Sequence, residues 1–546
     1  MKRFDFWTVV MILTWVLLLI LLFVPVGSVL VSSFYDPSGN FTLANYQKFV
    51  AEPRFRQAFL NTLVVGFGGL VGALVLGSIM AFCISRFVIK GSRFVSLLAI
   101  LALVSPPFIG AYSWIVLFGA GGLVRTTART FGIQMPTIYG LTGILIVFAF
   151  KFYPFVYLMV SGALSNVNRS LEEAAEGLGL TPWQRAFKIS FPMVFPALSA
   201  GGLLALIQAI ADFGTPRLLG RGYNVLATEA YTLYSAEIGS NLSMATTISV
   251  ILIVVSMAFV LLQRYVSRRN VYHGNMINKP IKIRLTGWRN ALAHFAVYAI
   301  GLLGALPVIV SIIYSFRKTS GPVFQSGLGL QSYERILFNL GDVVRNSLVF
   351  SFSAVALIVI AGTLIGVLVA RRTNLNTSLL DGAFMIPYVM PGIVIGIAYI
   401  AAFNTGPVVL TGTAMIIILT IFIRRLPYAV RTTSSALRQI SPSLEEAAVS
   451  LGYSPLQAFL RVTVPLIVPG IVAGGMLSFV TAINELSSSL VLYVGSTMTM
   501  PVRIYLLILD GDFGTAAAMS SILLVLSGLA IYLAFRFLGR NEQALL

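Results

Sequence analysis

The sequence predicts an all-α integral membrane protein, and both its composition and its apolar runs support this prediction. Hydrophobic residues make up 58% of the 546 residues and charged residues only 10%, with a mean hydropathy of +0.91. These values lie far outside the range of soluble domains. Apolar runs long enough to cross about 30 Å of hydrocarbon as helices recur along the whole chain. They predict about twelve transmembrane helices, near residues 8–32, 58–86, 94–119, 138–160, 196–214, 244–263, 291–315, 345–370, 378–403, 409–427, 468–490 and 514–537.

The basic residues indicate how the chain is oriented in the membrane. The net charge is +19, but the Lys and Arg residues follow a membrane topology, so no nucleic-acid partner is expected. With the N-terminus inside, about 25 of the 37 Lys and Arg lie on the cytoplasmic side. This set includes Lys2, Arg86, the run from Arg264 to Arg289, Arg371, Arg372, Arg424, Arg425 and Arg536. We expect a multi-pass protein of a bacterial or archaeal cytoplasmic membrane, surrounded by the lipid bilayer, with both termini in the cytoplasm.

Several function classes are excluded by what the sequence lacks. Cys83 is the only cysteine, and His273 and His294 are far apart, so neither a disulfide framework nor a thiolate metal site is expected. The chain offers no Ser/His/Asp set and no G-x-x-x-x-G-K-[ST] phosphate loop. We therefore expect a protein that is not an enzyme, has no catalytic residue, binds no cofactor itself and holds no tight metal site.

One charged phrase occurs twice. "LEEAAEGLGLTPWQRAFKISFP" begins at Leu171 and "LEEAAVSLGYSPLQAFLRVTVP" begins at Leu444, which is 273 residues later and half of the chain. The same offset pairs Pro154 with Pro427 and extends downstream to the Ala-Ile pairs that begin at residues 209 and 482. Internal duplication of a six-span half explains this pattern. Because each half has an even number of spans, the two copies are expected to be parallel in the membrane.

Each copy of the phrase predicts a short helix that ends at a glycine. Ser170 and Ser443 precede acidic residues by two and three positions, which is the pattern of a capped helix with negative charge at its N-terminus. Gly179 and Gly452 follow six residues after the second glutamate and supply a place where the helix can stop.

The pattern resembles the EAA motif of type I ABC importer permeases. The matching residues are Glu173, Ala174, Ala175, Gly179 and Pro192 in the first copy and Glu446, Ala447, Ala448, Gly452 and Pro465 in the second. In that family the motif forms a coupling helix in a groove of an ATPase subunit. The resemblance therefore implies two copies of a cytoplasmic ABC ATPase, ATP hydrolysis on those partner chains, and an extracytoplasmic solute-binding protein. It also implies two parallel six-helix repeats of the type I ABC permease (MetI-like) fold.

The domain organisation follows from the repeat and the resemblance. We expect a first span with an outer loop (1–56), a first permease unit (57–263), a basic cytoplasmic linker (264–290), a seventh span with an outer loop (291–341), a second permease unit (342–537) and a cytoplasmic tail (538–546).

Two acidic residues are candidates for the translocation path. Asp212 and Glu485 are related by the same offset of 273 and stand near the end of the fifth span of each half. Carboxylates within spans are costly and usually face a cavity or a partner, and facing carboxylates favour a cation. Alternatively, each caps the short helix that follows it. Glu229, Asp510 and Asp512 lie in the loops beyond these spans and are candidates for an acidic outer face.

The substrate is indicated by a second, softer resemblance. The fused twelve-span layout, with "ADFGTPRLLG" and "NELSSSLVLY", looks like the ferric-iron class of these permeases, which implies Fe(III) as the transported substrate. Relatives with the same architecture import thiamine, phosphonates, sugar phosphates or polyamines, and an anion would use Arg217, Arg221 or Arg503 instead. An ion-coupled secondary transporter is a further alternative, but it leaves the paired EAA motif unexplained.

Overall fold

The computed structural model of the chain describes residues 6–36, 39–167, 169–236, 241–269, 282–372 and 374–538. Up to residue 269 the helices are α1 (Phe6–Leu18), α2 (Val24–Ser33), α3 (Ala44–Ala51), α4 (Pro53–Arg86), α5 (Ser92–Val104), α6 (Pro107–Phe118), α7 (Leu123–Thr130), α8 (Leu141–Ser165), α9 (Arg169–Gly177), α10 (Pro182–Arg185), α11 (Phe191–Ala211), α12 (Gly214–Leu219), α13 (Leu226–Ser235) and α14 (Leu242–Arg269). The middle of the predicted linker, 270–281, and residues 539–546 of the predicted tail lie outside the described residues.

From residue 282 onward the chain is again mostly helical. The helices are α15 (Gly287–Ser315), α16 (Gln331–Asn339), α17 (Gly341–Arg371), α18 (Leu375–Val389), α19 (Gly392–Phe403), α20 (Ala414–Arg438), α21 (Ser443–Ser450), α22 (Pro455–Ala458), α23 (Val464–Ile483), α24 (Ser489–Leu492), α25 (Met500–Leu509) and α26 (Phe513–Leu538). A two-stranded sheet of β1 (Arg317–Ser320) and β2 (Val323–Leu328) follows α15. The predicted all-α class is confirmed.

The helices account for nearly all of the predicted spans. Ten of the described helical segments are long and apolar enough to cross a membrane, and the pair α18 and α19, bent by 106°, would make an eleventh. The remaining predicted span, 409–427, corresponds to α20. Every stretch of 18 residues in α20 contains Arg424, Arg425 and Arg431, so this helix is too charged to count as a span by composition alone.

Prolines break the third span of each repeat. The predicted bounds 94–119 were wrong, because the chain divides at Pro106 into α5, which is too short to span, and α6, which belongs to the spanning segment Phe108–Thr130. The predicted span 378–403 is divided into α18 and α19 at Pro391. Proline lacks the N–H that would continue the helix, and it drives the preceding residue into an extended conformation. Ser105 and Met390 have that conformation, with ψ of 135° and 131°. Both repeats thus leave the carbonyls at the end of a helix to be satisfied by other groups.

Prolines also explain three π-helical turns. The turns Leu19–Phe23, Ala186–Ser190 and Phe459–Thr463 each end two residues before a proline, namely Pro25, Pro192 and Pro465. A proline ring clashes with the carbonyl four residues earlier, and a wider turn relieves the clash. The long helices α11 and α23 therefore begin with the same wide turn, directly after the EAA motif.

The contacts divide the chain into two compact units. Unit A consists of Gln47–Glu229 and Ile251–Arg317. Within it α4, α8 and α11 pack closely together, and a Cβ added at Gly72 would lie 2.6 Å from the Cβ of Ala149. Helix α15 packs on α5 and α6 in this unit, where Ser113 Oγ donates to the Pro307 carbonyl at 2.8 Å.

Unit B consists of Met1–Tyr46, Ala230–Val250 and Lys318–Leu546. Helices α17, α20 and α23 form its centre, and α2 packs on α19. The hydroxyl of Tyr399 donates to the Leu21 carbonyl at 2.8 Å in this contact. The first span thus packs with helices of the second repeat. The compact units describe packing rather than sequence order, and the sequential domain boundaries given above stay a prediction.

Candidate coupling segments and buried ion pairs

The first EAA segment, residues 169–192, turns at its predicted glycine. Helix α9 ends at Gly177, and Gly179 has a φ of +80°, a conformation that favours glycine. The N–H of Gly179 donates to the Glu176 carbonyl at 2.9 Å, and the N–H of Leu180 donates to the Ala175 carbonyl at 3.0 Å. This pair of bonds is a Schellman motif, which ends the helix and satisfies its last carbonyls.

The second EAA segment, residues 443–465, repeats this geometry in unit B. Gly452 has a φ of +95°. Its N–H donates to the Val449 carbonyl at 3.0 Å, and the N–H of Tyr453 donates to the Ala448 carbonyl at 3.2 Å. The two glycines are therefore required by the same backbone conformation, as the sequence predicted from their position.

One residue of each motif packs inward while its neighbours face outward. Ala175 and Ala448 are each only 5% exposed. The motif residues around them are exposed: Glu173, Ala174, Gly179, Glu446, Ala447 and Gly452. The alanine requirement thus has a packing reason at one position, and the exposed positions are available to a partner.

Leucines extend these outward faces. Leu178 is 81% exposed and Leu451, its counterpart in the repeat, is 83% exposed. Leu171 and Leu444, also equivalent, are 48% and 49% exposed. Leu171, Ala174 and Leu178 follow helical spacing, so they lie on one side of α9 and its turn. Both units therefore present the same exposed apolar side chains on this side of the segment.

Asp212 directly follows α11 and is 8% exposed. Its Oδ1 accepts a hydrogen bond from the Thr215 N–H at 2.8 Å, at the beginning of α12. The capping interaction that the sequence left open is therefore observed. The candidate role of Asp212 in the translocation path stays a prediction.

Lys151 lies in the middle of α8 and is 9% exposed. Its Nζ donates to the carbonyls of Ala102 at 3.1 Å, of Leu103 at 3.2 Å and of Ser105. These carbonyls are at the end of α5, where the following proline removes their usual partners. The Asp212 carboxylate attracts this ammonium group through space, and within the described residues no direct ion pair or hydrogen bond joins these two side chains. A cation at a helix C-terminus also stabilises the helix dipole.

Glu485 is the counterpart of Asp212 and is 4% exposed. Its Oε1 accepts hydrogen bonds from the N–H of Ser488 at 3.2 Å and from the hydroxyl of Ser488 at 3.0 Å. Its Oε2 binds the guanidinium groups of Arg424 and Arg425. Glu485 therefore caps the short turn before α24 and also forms a buried ion cluster.

Arg424 lies beside the break in the bent span. A Cβ added at Gly392, the first residue of α19, would lie 2.9 Å from Arg424 Nη1 and 2.6 Å from the Cβ of Ser487. Gly392 is therefore required because the Arg424 side chain and the loop after α23 approach its backbone closely. Arg424 thus joins the break between α18 and α19 to Glu485. Lys151 binds the carbonyls at the break after α5 and is attracted by Asp212 without contacting it.

Sequence reasoning missed these cations. Arg424 and Arg425 were expected on the cytoplasmic side, but their side chains are only 12% and 18% exposed in α20, where they bind Glu485. A signal was present in the sequence. Lys151 and Arg424 are separated by the same 273 residues as Asp212 and Glu485. Applying the repeat to basic as well as acidic residues within the spans would have found both pairs.

The three outer-face candidates have different surroundings. Glu229 is 1% exposed and is bound by Arg54 at 2.6 Å and by Asn224 at 2.8 Å. Asp512 accepts from the Thr515 N–H at 3.2 Å and from Arg335 at 2.7 Å, whereas Asp510 is exposed. Their contribution to an acidic outer face stays a prediction.

No metal cluster is evident in the part of the chain that the structure describes. There, no three His, Cys, Asp or Glu side chains lie close enough together to hold a metal ion.

Comparison with known proteins identifies related chains. The family model described as "Binding-protein-dependent transport system inner membrane component" matches residues 73–272 and 362–541, which together are more than half of the chain. The ferric transport system permease protein FbpB of Actinobacillus pleuropneumoniae is 28% identical over 539 residues, covering 95% of this chain and 77% of the relative.

Two further similarities cover about half of the chain. A Salmonella typhimurium protein named as a candidate 2-aminoethylphosphonate transport system permease, PhnU, is 28% identical over 267 residues, covering 47% of this chain and 93% of the relative. A chain of a solved bacterial alginate ABC transporter, in complex with a periplasmic protein that holds an alginate pentasaccharide, is 19% identical. The structural match covers 48% of this chain and 94% of the transporter chain, with a TM-score of 0.41.

Proposed function

The chain belongs to the family of binding-protein-dependent transport system inner membrane components, and from this premise we propose that it is the permease of an ABC importer for ferric iron. In this proposal a solute-binding protein delivers Fe(III) to the outer face. Two copies of a cytoplasmic ABC ATPase bind the two EAA segments, and ATP is hydrolysed on those chains. Both termini of the permease lie in the cytoplasm.

The observation that carries this proposal is the pair of matched, exposed EAA segments. Each unit presents one segment with the same turn, the same inward-packed alanine and the same exposed leucines. A pair of identical ATPase subunits requires two equivalent contacts, and this chain offers two. ATP-driven closure of the ATPases would move both segments and favour the outward-facing state, and hydrolysis would reset the transporter.

Ferric iron is supported by how the relatives cover the chain. The relative named for ferric transport matches 95% of this chain, whereas the relative named for 2-aminoethylphosphonate matches 47%. Asp212 and Glu485 are our candidates for the translocation path, and Glu229, Asp510 and Asp512 are candidates for the outer face. Carboxylate oxygens suit a hard cation, and a path requires weak contacts that the ion can leave.

An organic anion is the second candidate substrate. The phosphonate relative supports it, and so does the surplus positive charge of Arg424 and Arg425 around one carboxylate. Guanidinium groups bind phosphonate and phosphate oxygens well.

Uptake by the reconstituted complex tests the proposal. The chain, its ATPase and its binding protein are placed in proteoliposomes, and radiolabelled Fe(III) and 2-aminoethylphosphonate are supplied in separate experiments. We expect ATP-dependent uptake of Fe(III) that requires the binding protein. ATP-dependent uptake of the phosphonate alone would overturn the iron assignment. Uptake in vesicles without an ATPase would overturn the importer mechanism and favour an ion-coupled secondary transporter.

The coupling role is tested with Gly179→Asp and Glu446→Lys. The first change strains a backbone with positive φ, and the second reverses a charge on the exposed face of the second segment. We expect both variants to insert in the membrane but to lose ATPase binding in pull-down and uptake in vesicles. Glu334→Lys on α16, another exposed acidic position in the first turn of a helix, is the matched control and should behave as wild type. Normal ATPase binding by both EAA variants would contradict the docking role.

A further inference from the structure

Each EAA segment is the tip of a helical hairpin that carries a buried cation within its first arm and a buried carboxylate just after its second arm. In unit A the arms are α8 and α11. Lys151 precedes the segment by about 18 residues, and Asp212 follows Pro192 by about 20 residues. At the rise of an α-helix these separations correspond to about 27–30 Å along each arm. In unit B the arms are α20 and α23, and Arg424 and Glu485 occupy the corresponding positions.

In both hairpins the cation also reaches the break in the third span. Lys151 donates to three carbonyls at the end of α5. Arg424 lies against Gly392, at the first turn after the break between α18 and α19. In unit B the Arg424 side chain therefore contacts both the broken span and Glu485, which follows α23. In unit A the Lys151 side chain contacts the end of α5 directly and is attracted by Asp212, which follows α11, without a direct contact.

Broken helices need such partners within a membrane. The proline at each break removes the backbone N–H that would pair with a preceding carbonyl, and unpaired polar groups are costly where water is excluded. In unit A the Lys151 side chain pairs with such carbonyls, whereas in unit B Arg424 lies against Gly392 and its Nη1 has no hydrogen-bond partner within the described residues. Each of these buried charges needs a counterion. Asp212 and Glu485 provide that counterion, and the backbone hydrogen bonds from Thr215 and Ser488 hold them in place.

We propose that Lys151 with Asp212, and Arg424 with Glu485, are duplicated positioning pairs that tie both arms of each EAA hairpin to the broken third span of the same repeat. Movement of the EAA tip is thereby transmitted through the hairpin to the break. The residues act through the helices they join and need not touch the substrate.

This inference rests on the proposed function, because it concerns how ATPase movement reaches the membrane core. The experiment measures Fe(III) uptake and ATP hydrolysis together in proteoliposomes that contain the whole complex, and reports substrate moved per ATP hydrolysed. Lys151→Met and Arg424→Met remove each cation while keeping an unbranched side chain. Arg345→Met on α17 removes an arginine from an exposed ion pair, with side-chain exposures of 71% and 84%, and is the matched control.

We expect each cation variant to reduce uptake per ATP by about ten-fold, which is within the usual range of coupling between distant sites. ATP hydrolysis by the assembled complex should remain close to the wild-type rate. The conservative variant Lys151→Arg should recover most of the uptake, because it restores the charge and the donors. A general loss of folding would instead lower uptake and hydrolysis together.

A second set of variants covers the case in which a lone buried carboxylate prevents assembly. Lys151→Met with Asp212→Asn, and Arg424→Met with Glu485→Gln, remove both charges of a pair, which leaves no counterion unpaired. We expect these complexes to assemble and still show low uptake per ATP. Wild-type uptake per ATP in the double variants, or in assembled Lys151→Met and Arg424→Met, would overturn the positioning role. Failure of the wild-type complex to take up Fe(III) would count against the proposed function instead.

Discussion

The two buried pairs of opposite charges occupy equivalent positions in the repeat, but only the second pair is in direct contact. In unit A a single ammonium, that of Lys151, is shared between three backbone carbonyls and the electrostatic field of Asp212. In unit B two guanidinium groups bind one carboxylate directly. Phe152, which is 2% exposed, stands where the second repeat has Arg425.

This difference shows that the repeat has kept an electrostatic link between three elements while changing its components. The first site is balanced, with one positive and one negative charge. The second has two positive charges and one negative charge, so Glu485 carries a greater share of its stability than Asp212 does of the first. Replacing each carboxylate by its amide removes the charge but keeps the oxygen that caps the following helix. The loss of stability in Glu485→Gln and in Asp212→Asn therefore measures how far the electrostatics of the two sites differ.

Glu485→Gln should have the largest effect. The amide keeps an oxygen that can accept from Ser488 but leaves two buried guanidinium groups without a counterion, and breaking a buried pair in this way costs about 3–5 kcal/mol. We expect a marked fall in the thermal midpoint of the purified complex, followed by tryptophan fluorescence at a fixed heating rate. Glu334→Gln, an exposed change of the same type, is the control. A midpoint equal to wild type would show that the arginines are satisfied without Glu485.

Asp212→Asn should have a smaller effect on stability. The amide again keeps the capping acceptor for Thr215, and Lys151 retains its bonds to the carbonyls at the end of α5. The change therefore removes no hydrogen bond but only the charge of the acceptor for Thr215 and the through-space attraction of Lys151, and the difference between a charged and a neutral hydrogen bond is about 1–2 kcal/mol. The same fluorescence measurement checks it. A fall as large as that of Glu485→Gln would mean that the two sites have equivalent electrostatics despite their different geometry.

Local patterns in the sequence were sufficient for the fold class and for the EAA segments. Long apolar runs predict helices because the backbone must satisfy itself in hydrocarbon. The positions of Gly179 and Gly452 predicted helix ends because only glycine readily adopts the positive φ that both show.

Contacts between distant parts of the chain could not be predicted in the same way. In a span that is apolar on every side, no face indicates its neighbour, so the packing of α2 on α19 was not foreseen. Arg424 and Arg425 were assigned to the cytoplasmic side because arginine usually marks the end of a span. Their partner, Glu485, is 60 residues beyond Arg425, and a hydropathy window does not contain it.

Ser488→Ala tests whether hydrogen bonds or arginines hold Glu485. The change removes the hydroxyl that donates to Oε1 at 3.0 Å but leaves the backbone N–H of residue 488 in place. We expect a loss of about 1 kcal/mol and uptake per ATP close to wild type, because the contact with Arg424 remains. In the double variant with Glu485→Gln the hydroxyl is removed from a neutral amide oxygen instead of a carboxylate oxygen, so the further loss should be no larger than in wild type. A further loss larger than that of Ser488→Ala alone would contradict this expectation.

Arg425→Met should have the smallest effect on stability, because it converts the second site into a balanced pair like the first. Arg424 and Glu485 remain together, although the hydrogen bond that Arg425 Nη2 donates to Glu485 is lost. Within the described residues Arg425 Nε, like Arg424 Nη1, is buried without a hydrogen-bond partner. Replacing a buried charge that lacks full compensation by an apolar side chain is often neutral or stabilising, so we expect a change of less than about 1 kcal/mol in either direction.

Uptake separates the remaining roles of Arg425. If the surplus charge serves an anionic substrate, competition by 2-aminoethylphosphonate will weaken in the variant while Fe(III) uptake per ATP is unchanged. If Arg425 instead helps to connect Glu485 to the broken span, Fe(III) uptake per ATP will fall in Arg425→Met as it does in Arg424→Met. The second repeat would then need two cations for the role that Lys151 alone has in the first repeat.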